Sequence, residues 1–155
     1  MELVIPNDIL PNLEEQIRLY IALRTTKYAR MPDIATTCFT LWSGGNHIIY
    51  YVEDDTPVTP QQICDHIANA ITELYNEGGR YFIVPNLPPL GDKPNYLKVM
   101  AYHKKANAFV NEYNPLLQTR VASLQQQLTG ITIVPFDVYS VFLAVRVSKA
   151  NSAPD

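Results

Sequence analysis

Leu41-Trp42-Ser43-Gly44-Gly45-Asn46-His47 completes an apolar run, Ile34 to Trp42, that reads as a buried strand. Two glycines and an amide at a strand's carboxyl end mark the place where open α/β sheets hold their ligands. Gly44 and Gly45 let the backbone turn sharply and approach a bound group, and Asn46 can aim a carboxamide N–H into the crevice. That is the chemistry of an oxyanion donor. The same residues also serve as plain turn chemistry, and both readings stand at this point.

Working outward, helical and strand patterns alternate, which predicts parallel βαβ units. Leu13, Ile17, Tyr20 and Ile21 share one helical face after a capping Asn12, predicting a helix over 12–29. Thr59 caps a second helix, with Pro60 at its first position, Gln62 completing a capping box and Ile63, Ile67, Ile71 and Leu74 as its apolar stripe. Gly78-Gly79 stops it. Tyr81 to Val84 is a strand followed by a proline-rich loop, Pro85 to Pro94. A long helical pattern then carries Phe109, Val110, Tyr113, Leu117, Val121, Leu124 and Leu128, with Asn114-Pro115 either breaking or kinking it. Gly130 ends that pattern. Ile131 to Val134 is the third strand, and a short amphipathic segment runs from Asp137 to about Val147. The expectation is three strands and four helical segments.

The 155 residues suit one domain with one core, taken as 1–155. With 47% hydrophobic and 17% charged residues the composition is globular, and a net charge of −3 without a basic run gives no reason to expect nucleic acid or an anionic membrane. No stretch approaches the ~20 apolar residues of a spanning helix, and Met1 to Pro6 lacks the features of a signal peptide. Cys38 and Cys64 read as two buried free thiols. Compartment stays open.

Three blocks, Trp42-Ser43-Gly44-Gly45-Asn46, Tyr81-Phe82-Ile83-Val84-Pro85-Asn86-Leu87-Pro88-Pro89-Leu90-Gly91 and Phe136-Asp137-Val138-Tyr139, resemble the middle and late blocks of GDSL (SGNH) ester hydrolases, with a fungal acylhydrolase and acetylesterase flavour. The resemblance implies a flavodoxin-like three-layer αβα sandwich, of which this chain carries an incomplete parallel sheet of about three strands. It also implies cleavage of carboxylic esters, of acyl chains or acetylated sugars, without metal or organic cofactor, by proteins that are commonly secreted. In that family a serine in a Gly-Asp-Ser-Leu block attacks the ester, a histidine three residues after an aspartate takes its proton, and backbone N–H groups with a glycine and an asparagine hold the oxyanion. Here only the asparagine, Asn46, with Gly45 beside it, has a counterpart. The chain contains no Gly-Asp-Ser, and Gly44, Ile63 and Met100 stand three residues ahead of His47, His66 and His103. A weak serine nucleophile needs an oriented base, so the expectation is a truncated hydrolase, inactive alone. The alternative is a non-catalytic ligand-binding or protein-interaction module that keeps the crevice.

Leu87, Pro88 and Leu90 are candidates for the wall of a substrate groove, or else a stiff connection with the leucines packed inward. Ser43 and His47 form a conceivable pair without a third group. Cys64-Asp65-His66 offers metal-capable atoms, but adjacent helical positions diverge. His103-Lys104-Lys105 reads as a solvated helix face, Asp137 as a helix cap and Glu53-Asp54-Asp55 as an exposed loop. In the fold that the resemblance implies, the first two strands are lacking here and the edge carrying Cys38, Thr40 and Trp42 is left unpaired, which predicts marginal stability, dimerisation or aggregation.

Overall fold

The computed structural model describes residues 12–24, 26 and 31–151. Asn12, the cap read from the sequence, opens the first helix, α1 (Leu13–Arg24), and Glu15 makes the capping reciprocal: Glu15 N–H donates to Asn12 Oδ1 at 2.9 Å and Asn12 N–H to the Glu15 carboxylate at 2.8 Å. Positions 25 and 27–29 of the predicted helix lie outside the described residues. Strand β1 (Cys38–Thr40) is far shorter than the expected 34–42. The reason is Asp33, whose carboxylate accepts the Ala35 N–H and whose carbonyl accepts the Thr36 and Thr37 hydroxyls, coiling the start of the run into a turn. Cys38 is exposed on this short strand, which corrects the reading of two buried thiols, whereas Cys64 is buried.

A helix that the sequence reading lacked, α2 (Gly45–Glu53), follows at once. Its run Ile48-Ile49-Tyr50-Tyr51-Val52 has strand-type composition, yet Ile48 and Val52 are both buried at the i, i+4 spacing of one helix face. Helix α3 (Pro60–Asn76) has the full capping box of Thr59 and Gln62, and its four predicted stripe residues are all buried. Gly78, at φ 107°, turns the chain into β2 (Tyr81–Pro85). A 3-10 turn (Leu90–Asp92) and the short α4 (Pro94–Leu97) lead to α5 (Met100–Gln127), which begins well before Phe109 and runs straight through Pro115. Strand β3 (Thr132–Phe136) and α6 (Val138–Asn151) complete the order.

The three strands are parallel in the order β1-β2-β3, with Cys38, Tyr81 and Thr132 at one level and Thr40, Ile83 and Val134 at the next. Alternation sends Phe39, Phe82 and Ile133 to the opposite face, where α1, α3 and α5 pack. Tyr20 meets Phe39 edge-on at 5.4 Å and Phe39 stacks on Phe82 at 5.6 Å. The result is α/β, an incomplete flavodoxin-like αβα sandwich whose helices share one buried cluster with the sheet. Across the other face Tyr81, Val134 and Phe136 are about half exposed.

Candidate active site

Beyond β1 the chain stays tied to β2, since Leu41 N–H donates to the Ile83 carbonyl at 3.0 Å and Trp42 Nε1 to the Asn86 carbonyl at 3.1 Å. It then turns at Gly44, φ 111°, a backbone conformation that side chains other than hydrogen rarely allow. A Cβ there would also come within 3.2 Å of Leu87 Cδ1 and 3.5 Å of Tyr113 Cζ. Tyr113, fully buried on α5, braces the turn by donating its hydroxyl to the Ser43 carbonyl at 3.1 Å. Burial pushes its phenol far above the usual range, so it remains a donor.

Gly45, Asn46 and His47 form the first turn of α2. N–H groups of a first turn have no partner four residues back, and they sit at the positive end of the helix dipole. Asn46 is exposed there, beside those N–H groups. Together they can accept a developing negative charge. Partial desolvation in the crevice, reinforced by nearby His66, holds the His47 imidazole below its ordinary value, favouring the neutral ring.

The facing wall is the proline loop. Asn114 clamps Leu87 at both backbone groups: its carboxamide oxygen accepts the Leu87 N–H and its Nδ2 donates to the Leu87 carbonyl, each at 2.9 Å. Asn86 joins the strand ends, donating its N–H to the Phe136 carbonyl at 3.0 Å and Nδ2 to Asp137 at 2.8 Å while accepting from Tyr139 N–H at 2.9 Å. Leu87 and Pro88 are buried, and Leu90 is partly so.

Between the two walls lies a cavity of about 640 Å³ at the carboxyl ends of β1 and β2. It brings together the predicted site residues Gly45, Asn46, Leu87, Pro88 and Leu90, with Trp42, Ser43 and His47 beside them. Leu87 therefore lines the groove and packs inward at once. The sequence reading missed a second pair on the rim, Glu14 of α1 and His66 of α3, whose carboxylate and Nδ1 lie 2.8 Å apart. The available signal was periodicity: His66 follows Ile63 by three positions, and Ile63 also lines the cavity.

The remaining candidates disperse. Cys64 is buried, Asp65 pairs with Arg120 and Gln61, and His66 turns to Glu14, so the three diverge. No hydrogen bond joins Ser43 to His47 among the described residues, although both line the cavity. Asp137 accepts from the Ser140 N–H and hydroxyl as the cap of α6, and these bonds, with that from Asn86, hold its carboxyl below the usual range. His103 is no solvated surface residue: its Nδ1 meets the Gly91 carbonyl at 2.9 Å, and Lys105 reaches inward to the Tyr51 carbonyl at 2.6 Å. Glu53 ends α2 instead of lying in a loop, and accepts the Tyr96 hydroxyl at 2.8 Å.

Residues 7–151 match the family model described as GDSL-like Lipase/Acylhydrolase. The chain belongs to this family. Among relatives of this GDSL-like chain, GDSL esterase/lipase At5g03610 of Arabidopsis thaliana is 28% identical over 152 residues, 92% of this chain and 42% of the relative. GDSL esterase/lipase At5g14450 of the same plant is 29% identical over 74% of this chain and 33% of its own length. A plant protein named Alpha-L-fucosidase 3 is 29% identical over 70% of this chain and 31% of its own. The chain thus spans less than half the length of these curated relatives.

Proposed function

We propose that this chain forms, as one folded unit, the oxyanion side and acyl wall of an ester-hydrolase crevice. The substrate is a carboxylic ester, its acyl group a fatty chain or the acetyl of a decorated sugar. The observation that carries this reading is the single cavity shared by Gly45, Asn46, Leu87, Pro88 and Leu90. When a nucleophile adds to the carbonyl carbon, its oxygen takes up the electron pair. The Gly45 N–H and the Asn46 carboxamide stand at the positive end of α2, where they can hold that charge, and Leu90, the partly exposed leucine of the loop, offers apolar surface to the acyl chain over the buried Leu87. The sequence holds neither a Gly-Asp-Ser block nor an Asp-x-x-His block. Turnover at an enzymatic rate therefore requires a serine and a histidine that this chain does not carry, and alone it binds without cleaving.

Trp42 is the one tryptophan of the chain and lines the cavity, so its emission reports binding directly. Titration with hexanoate, whose carboxylate oxygen occupies the oxyanion position, is expected to quench or shift that emission. Asn46→Ala should weaken hexanoate about tenfold, the scale of one hydrogen bond to a charged group, and leave hexanol unaffected. Equal affinity of parent and variant for hexanoate refutes the oxyanion assignment. Nitrophenyl acetate turnover by the parent, lost in Asn46→Ala, refutes inactivity but keeps the site.

A further inference from the structure

Charge is distributed unevenly along the chain. Net charge is −3, yet residues 93–111 hold Lys93, Lys98, Lys104 and Lys105 and not one carboxylate. Within the same segment, where α4 meets α5, Leu97, Val99 and Met100 are 55%, 42% and 59% exposed. Three large aliphatic side chains within four residues, all facing water, need a reason.

Loose packing is not that reason, because the tip is mounted firmly. Tyr96 is buried beneath it, donates its hydroxyl to Glu53 at 2.8 Å and meets Tyr102 edge-on at 5.7 Å. Backbone bonds from Leu97 N–H to the Lys93 carbonyl and from Val99 N–H to the Tyr96 carbonyl, both 3.0 Å, shape the turn. Met100 and Lys104 share one face of α5 by their spacing. Lys93 Nζ sits 4.4 Å from the centre of the Tyr96 ring, while Lys105 is the inward member, bonded to Tyr51 and Asp55. Asp92 is paired with Arg146. Among the described residues no carboxylate forms an ion pair with Lys93, Lys98 or Lys104.

We infer that Leu97, Val99 and Met100, flanked by Lys93, Lys98 and Lys104, dock this chain onto an anionic lipid surface. Aliphatic side chains enter the boundary between headgroups and acyl chains, and lysine stems lie along it while their ammonium groups meet lipid phosphates and carboxylates. Nucleic acid fits less well, since the exposed apolar positions offer no aromatic ring for bases to stack on. The 3-10 turn that begins at Leu90, a lining residue of the cavity, leads directly into this tip.

The test is flotation of the full chain with phosphatidylcholine vesicles, with and without phosphatidylserine, at low and high salt. Binding is expected to the anionic vesicles and to fall with salt. Lys98→Gln with Lys104→Gln should weaken it, by about fivefold for each lysine removed. Leu97→Ser with Met100→Ser should abolish it at the same melting temperature as the parent, since these side chains are exposed. Equal binding to neutral and anionic vesicles, no binding at low salt, or binding unchanged in either double variant overturns the inference. So does equal capture by a short oligonucleotide. Asn46→Ala should bind vesicles like the parent, so failure of the crevice reading leaves a separate trace.

Discussion

Asn114→Ala tests whether the acyl wall is held from behind. The Asn114 carboxamide satisfies both backbone groups of Leu87, and Leu87 is 1% exposed, so water cannot readily replace the two bonds. Each bond contributes about 1 kcal/mol net, and a buried group left without a partner costs ~1–3 kcal/mol. Alanine returns roughly 0.5 kcal/mol through its better helix propensity at a position inside α5. The net loss expected is about 2–3 kcal/mol, a fall in melting temperature of roughly 5–10 °C for a chain of this size. Urea unfolding should be followed by Trp42 emission and by far-ultraviolet circular dichroism. Coincident single transitions are expected, as for one cooperative unit. Native Trp42 emission should shift as well, because Trp42 shares the cavity with Leu87. Asn114→Asp keeps the acceptor for the Leu87 N–H but sets a carboxylate oxygen against the Leu87 carbonyl, so it should not rescue. A loss below about 0.5 kcal/mol in Asn114→Ala, the range of ordinary surface substitutions, would show that the loop holds itself.

Four further outcomes are expected. Gly44→Ala should cost about 2 kcal/mol or more in urea unfolding, because φ 111° is strained for alanine and the new methyl meets Leu87 at 3.2 Å; a stability equal to that of the parent would refute the strain. Burial pushes the Cys64 thiol up to about 11 from 9.0, with Arg120 opposing only in part, so at pH 8 a disulfide reagent should label exposed Cys38 rapidly and Cys64 only after unfolding. The folded state keeps a proton that the unfolded state releases, so this contribution is full below pH 9 and is lost as pH rises through 11; Cys64→Ala should flatten that part of the stability curve. Sedimentation at rising concentration should show self-association through the edge of β1 that has no strand beside it among the described residues, reduced by Thr40→Lys, and a monomer at every concentration would count against it.

What could be read from the sequence was whatever is decided locally. The Thr59–Gln62 capping box, the stripe of α3 and the stop at Gly78 are short-range statements, and each is in place. Strand β1 and helix α2 are where composition misled, because β-branched residues report a half-buried surface before they report a backbone conformation. Asp33 draws three neighbours into a turn and shortens the strand, while Ile48 and Val52 form a helix because α5 supplies the surface that buries them. Pro115 was ambiguous for the same kind of reason. A proline removes one helical bond, and whether the helix continues depends on tertiary support, which here includes the grip of neighbouring Asn114 on Leu87.

The site divides along the same line. As parts of a candidate crevice, the turn that carries Gly45 and Asn46 was legible because it lies within five residues of sequence, and the proline loop because its composition restricts it. That these two segments face each other depends on contacts 70 and 27 residues apart in the chain, from Tyr113 to Ser43 and from Asn114 to Leu87. Both braces stand on adjacent positions of α5. Adjacent residues on a helix diverge by about 100°, so one turn of α5 can reach toward the glycine turn with one side chain and toward the proline loop with the next. The width of the crevice is then set by a helix that contributes no lining group to it. Substitutions at Tyr113 and Asn114 should therefore alter ligand affinity together, though neither side chain lines the cavity.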